Sequence, residues 1–98
     1  MPVYVVAQLR FRDRTSYDRY QARFPAVFAQ FKGRVLAADE QPELLEGNWD
    51  RHKVVILSFP DEPEARRFLT APAYEEISKD RRAGADTVAV LVHGFPAV

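Results

Sequence analysis

Of all the side chains in this sequence, only His52 and His93 exchange a proton near neutrality without special help from their surroundings. His52 lies in LEGNWDRHKVVILSFP, residues 45–60, after the chain's one tryptophan, Trp49, and ahead of an aliphatic run. There it could act as a general base. Its charged neighbours Asp50, Arg51 and Lys53 read equally well as the solvated entry to a strand, and both roles stay open. Arg10 keeps its charge at any physiological pH. On a sheet face it either anchors an anionic or enolate oxygen or pairs with a carboxylate, Asp39 being one candidate. With His52 as the proton carrier, these two are the candidate catalytic residues.

Around them, Tyr4, Gln8 and Ser58 supply polar atoms that orient a small ligand or satisfy strand ends. Trp49 and Tyr74 offer aromatic faces for a planar ligand, or close the end of a core. Arg81 can clamp a carboxylate with its planar fork, or pair with Glu75, Glu76 or Asp80 along its own helix. His93, followed by Gly94 and Pro96, reads as a strand terminus. Two histidines without a carboxylate at ligand spacing do not make a metal site, so neither a metal nor a bound cofactor is expected.

Composition excludes several other classes. Fourteen basic and fourteen acidic side chains cancel, leaving no net field to hold nucleic acid or an anionic membrane. With no cysteine there is no disulfide, thiolate metal site or thiol chemistry. MPVYVVAQLRFRD lacks the basic start of a secretory signal and meets arginine at position 10. No stretch approaches the roughly 20 apolar residues of a membrane span. A soluble, cytoplasmic protein of one domain over residues 1–98 is expected.

The elements that position these residues follow from periodicity. VYVVAQLRFR, residues 3–12, is rich in β-branched and aromatic residues and reads as a strand. Tyr17, Tyr20, Phe24, Val27, Phe28 and Phe31 recur at spacings of three and four on a helix that Asp13 or Thr15 can cap. Pro25 predicts a kink or break near Phe24, and Gly33 a left-handed helix end. RVLAADEQPELLEG, interrupted by Pro42, suits a bent edge strand, and HKVVILSF a central one. Asp61 and Glu64 have capping-box spacing ahead of a second helix that Pro72 restarts, and DTVAVLVHG closes the chain as a strand.

The order strand, helix, strand, strand, helix, strand is the α+β, ferredoxin-like βαββαβ pattern, a four-stranded antiparallel sheet with both helices on one face. Counting by two sets Val5, Ala7, Leu9, Phe11, Val55, Leu57 and Phe59 toward the helices. Tyr4, Val6, Gln8, Arg10, His52, Val54, Ile56 and Ser58 fall on the other face, with either Val88, Val90 and Val92 or Thr87, Ala89, Leu91 and His93 from the last strand. An aliphatic face of that size marks an interface, and a second copy is its natural cover.

The stretch from Trp49 to Ala85, WDRHKVVILSFPDEPEARRFLTAPAYEEISKDRRAGA, closely resembles the DUF1330 family, with Phe59, Pro60, Pro72, Tyr74, Ile77 and Arg81 at matching positions. The first half is similar more loosely, through its Pro-interrupted helix and KGRVLA. The resemblance implies a homodimeric α+β barrel with two sheets face to face. The chain departs from the family at Ala38 and Asp39, where Gly-Gly is frequent, and at Ser58, where an acid is frequent.

Two functional readings follow. In one, a small-molecule pocket in the barrel binds an aromatic or polyketide-like compound and acts on it without a cofactor, as monooxygenases or isomerases of similar barrels do. In the other, the homodimer is a non-catalytic accessory or regulatory module, and its polar points serve only the seam.

Overall fold

The structure, a computed structural model, describes residues 1–96. Its elements are β1 (Val3–Phe11), α1 (Arg14–Phe28), β2 (Arg34–Asp39), β3 (Lys53–Phe59), α2 (Glu62–Leu69), α3 (Pro72–Gly84) and β4 (Ala85–His93). All strand pairs are antiparallel, in the order β2-β3-β1-β4. This is the ferredoxin-like α+β arrangement, with β1 and β3 in the centre.

Register divides the sheet. Val5↔Leu57, Ala7↔Val55 and Leu9↔Lys53 face the helices, while Tyr4↔Ser58, Val6↔Ile56 and Gln8↔Val54 face away. The parity left open for β4 is fixed by its pairing with β1. Val88, Val90 and Val92 stand opposite Gln8, Val6 and Tyr4 on the outer face, and Thr87, Ala89 and Leu91 turn toward the helices. At the β2 edge the register shifts between Val35 and Ala37, a bulge that bends the strand.

Several local expectations are corrected. The helix does not break at Phe24: α1 runs through Pro25 to Phe28. Pro25 lies on the exposed side of the helix, and Phe24 and Phe28 stack across the turn at 5.0 Å. Asp13 is the cap, accepting from the Thr15 and Ser16 amides at 3.1 and 3.4 Å. Gly33 takes no left-handed conformation; its lack of a side chain matters because a Cβ there would come within 2.5 Å of the Phe28 ring. Asp61 caps α2 through the Glu64 amide at 2.9 Å, yet the Glu64 carboxylate does not complete a capping box. It accepts instead from the Lys32 amide at 2.8 Å and from Arg67, and these contacts, Arg67 foremost, hold its pKa down to about 2. The restart expected at Pro72 is present: α2 ends at Leu69 and α3 begins at Pro72.

The helix layer packs on Phe68, which is fully buried and meets Phe24, Phe28, Phe31, Phe59 and Tyr74 at centroid distances of 6.1, 5.2, 5.3, 5.6 and 4.2 Å. The result is a slab of 39 × 36 × 16 Å, with one sheet face uncovered. On that face Val88, Val90 and Val92 remain 47, 52 and 43% exposed.

Phe68→Ala removes the side chain that all five of those rings share. A loss of about 3–5 kcal/mol in unfolding free energy is expected, read from the denaturant midpoint at an unchanged slope; a loss under about 1 kcal/mol would show that the rings collapse onto the gap.

Candidate functional site

The predicted site residues separate into three places. Tyr4, Gln8, Arg10 and Ser58 lie on the open sheet face. Trp49, half-buried, borders a shallow groove with Pro42, Leu44, Leu45 and Val54, and Val54 belongs to that same face. Tyr74 and Arg81 stand on the opposite side, where they line a cavity between the sheet and the helices.

Arg10 does not pair with Asp39. Asp39 lies opposite Val54 on the far strand, whereas Arg10 is beside β4 and donates to Asp50 at 3.2 Å and Asp86 at 3.0 Å. Asp86 also receives Arg51 at 3.2 Å, making an exposed cluster. His52 leaves the open face to which counting by two assigned it. Its ring stacks on Phe11 at 5.5 Å, its amide donates to the Leu9 carbonyl at 2.7 Å, and its Nδ1 accepts from the Phe11 amide at 2.9 Å. An accepting Nδ1 is committed to the backbone, and the proton of the neutral ring is then on Nε2. His52 and Arg10 therefore act in separate surroundings. Lys53, which reads in the sequence as part of a solvated entry, is buried on the helix side.

The cavity has a volume of ≈270 Å³. Its floor is the sheet, including Ala7 of β1 and Thr87 and Ala89 of β4, and its walls include Tyr17, Tyr20 and Tyr74, with Glu75 and Arg82 also on the lining. Ser78 donates to the Tyr74 carbonyl at 2.7 Å, and the hydroxyls of Tyr20 and Tyr74 approach to 3.4 Å. Burial pushes the Tyr17 phenol up to about 12, and it pushes Tyr20 higher still, with Tyr74 adding to the effect. Phenols held protonated in this way donate hydrogen bonds and are poor bases.

Arg81 enters this space because Tyr74, Ile77, Ser78 and Arg81 follow one another on one face of α3. The acids that could have claimed it are engaged elsewhere: Glu75 with Arg82 at 2.6 Å, Glu76 with Lys79 at 2.8 Å, and Asp80 with Arg19 at 3.2 Å. Arg81 Nε and Thr87 Oγ1 are buried and have no hydrogen-bond partner among the described residues. The Arg81 guanidinium lies 5.9 Å from the Tyr20 ring centroid. A half-buried guanidinium beside neutral donors and apolar walls suits a small anionic or enolisable molecule.

Sequence reasoning selected Tyr74 and Arg81 but missed Tyr17, Tyr20, Ser78 and Thr87. By their spacing the tyrosines read as core stripe, which they also are. The available signal was the spacing of Arg81 from Tyr74, two helical turns along the face that buries Ile77. Among the described residues no cluster of three or more acidic or histidine side chains could hold a metal, and no helix is long and apolar enough to cross a membrane.

Fold and cavity together define a ferredoxin-like protein with a space between its sheet and its helices. The chain belongs to the family described as domain of unknown function (DUF1330), which matches residues 2–95. A protein of unknown function from Rhodopseudomonas palustris has a similar structure, with a TM-score of 0.81 and 19% identity, over 98% of this chain and 84% of the other. A dimeric ferredoxin-like protein of unknown function from Thermobifida fusca is similar at a TM-score of 0.68 and 19% identity, over 93% of this chain and 89% of the other. SnoaB, a cofactor-independent oxygenase from Streptomyces nogalater, is similar at 0.67 and 19% identity, over 99% and 96%. No curated protein matches the sequence.

The Arg10 cluster is exposed on both sides, so its net worth is small. Arg10→Met is expected to change unfolding free energy by about 0–1 kcal/mol in denaturant melts; a loss of about 3–5 kcal/mol would mean that the ion pair is buried in an assembly.

Proposed function

We propose that the protein is a homodimer whose open sheet faces pack together, and that each protomer holds and acts on a small aromatic or polyketide-like compound in the cavity between sheet and helices, without a bound cofactor. The observation that carries this reading is a cavity walled by Tyr17, Tyr20 and Tyr74 and also lined by Arg81 and Thr87, each of which has a buried polar atom, Arg81 Nε and Thr87 Oγ1, without a hydrogen-bond partner among the described residues. A buried donor without a partner costs free energy, and a ligand oxygen that accepts from it removes the cost.

In this reading Arg81 holds the negative charge of a phenolate or enolate, and the Tyr20–Tyr74 pair donates to the same or a neighbouring oxygen. Stabilising that anion is the step shared by cofactor-free oxygenation and by isomerisation through an enolate. The likeness to a cofactor-independent oxygenase supports the first of these by analogy of fold. A volume of ≈270 Å³ lies near the lower end of the range of about 300–1,000 Å³ for small-molecule pockets, which favours a compact one- or two-ring compound.

The dimer reading rests on the exposed valines of β4 together with Val6, Val54 and Ile56, and on the Trp49 groove, which continues that apolar surface. The dimeric Thermobifida fusca neighbour supports it. Arg10 and Arg51 offset Asp50 and Asp86 within the chain, so the corner of the face carries little unpaired charge into the seam.

Two measurements check the two halves of the proposal. Light scattering at micromolar concentration should give twice the mass of the 98-residue chain, and Val90→Asp should give a folded monomer; a wild-type monomer removes the barrel. Salicylate should raise the melting temperature of the wild type, and Arg81→Met should weaken its affinity by at least about tenfold, the equivalent of about 1.4 kcal/mol, against about 1.5–3 kcal/mol for a charged hydrogen bond. An intact dimer that binds neither salicylate nor other small phenols favours the non-catalytic module.

A further inference from the structure

A second cavity, of ≈320 Å³, lies between α1 and the edge strand β2, sharing Tyr17, Tyr20, Phe24 and Val55 with the first. It contains Lys53. Of the chain's lysines, Lys32 and Lys79 are exposed, whereas Lys53 is only 5% exposed. Its position opposite Leu9 puts it on the helix side of the sheet. Nζ donates to Gln21 Oε1 at 2.9 Å and lies 4.9 Å from the Tyr17 ring centroid.

The charged groups facing Lys53 do not fully neutralise it. Glu40 approaches to 3.8 Å, but both of its oxygens already accept from Arg14 at 2.8 Å. Arg14 opposes the ammonium, and Asp18 favours it. Burial outweighs the carboxylates and pushes the Lys53 pKa down from the ordinary lysine range. An amine buried in a cavity, with a larger share of its unprotonated form, is the arrangement that makes lysine a nucleophile.

We propose that Lys53 condenses reversibly with the carbonyl group of a small aromatic aldehyde or ketone that enters this second cavity. The Nζ lone pair forms a bond to the carbonyl carbon as the C=O π pair moves to oxygen. A proton passes from nitrogen to that oxygen, and the carbinolamine loses water to leave a C=N bond. Addition of water reverses the sequence. The step is neither oxidation nor reduction. Glu40 and the face of Tyr17 offset the positive charge of the protonated imine, and the apolar wall of Phe24, Pro25 and Val55 receives the aromatic ring. The site is independent of Arg81, which lines only the first cavity.

Reductive trapping tests the inference on the intact wild-type chain. With benzaldehyde and sodium cyanoborohydride at pH 7.5, peptide mass mapping should find Lys53 alkylated at least about threefold faster than Lys32 and Lys79, because burial leaves it a larger unprotonated share. In urea the three lysines should react alike. Labelling of Lys53 at the same rate as the exposed lysines, or more slowly, would overturn the proposal, since a purely structural buried ammonium behaves in that way. A preference that persists in the unfolded chain would also overturn it, because the cavity would then play no part.

Discussion

The constraint on which the rest depends is the pairing of β1 with β3, from Val3↔Phe59 to Leu9↔Lys53. Because side chains alternate strictly along a strand, this register decides in one step which residues meet helices and which meet solvent. A slip of one residue would turn the apolar set of the slipped strand, Leu57 and Phe59 in β3 or Leu9 in β1, to water and its polar set toward the helices. The aromatic layer then adds the second half of the constraint. Phe68 can be fully buried only if Phe24, Phe28 and Phe59 converge on it, and Gly33 lets the chain pass close enough to Phe28 and Phe59 for that to happen.

Much of this was legible from residue types. The alternation of β1 and the aliphatic run of β3 marked the two central strands, and the Pro-interrupted segment marked the edge. Local features read less well, because each was decided by a tertiary competitor. Pro25 predicts a break in isolation, yet the packing of Phe24 and Phe28 on either side keeps the helix continuous. Glu64 has the spacing of a capping box, yet Lys32 and Arg67 offer its carboxylate better partners. The two parities of β4 were indistinguishable by composition, since both faces are apolar, and only the register with β1 separates them.

The site was half legible for a related reason. Tyr74 and Arg81 carried a signal, because a helix face that buries Ile77 carries its neighbours two turns apart in the same direction. His52 misled because counting by two continues past the end of a strand only if the backbone stays extended. Its ring instead turns onto Phe11 and spends Nδ1 on a backbone amide. Lys53 misled in the opposite sense: its charge suggested solvent, although its parity with Val55 and Leu57 placed it inside. For long cationic side chains parity is the better guide, because the aliphatic stem can cross a core while the charge finds a carboxylate or an amide at its rim.

The cavities have a structural origin in the residues beneath them. Ala7 and Ala89 stand opposite each other on β1 and β4, both facing the helices, and neither fills the height between sheet and helix. Ala89 is still exposed although it faces the helices, which is what an unfilled space above a methyl group leaves. The surrounding tyrosines are too rigid to collapse into the gap: each ring is fixed by its neighbours, Tyr17 against Phe11 at 4.8 Å and Tyr20 against Phe24 at 5.8 Å. Small residues below and braced rings above thus keep the space open without backbone strain. Tyr17, Tyr20, Phe24 and Val55 line both spaces, so the same braced rings hold both open, with Arg81 on the lining of the first and Lys53 on that of the second.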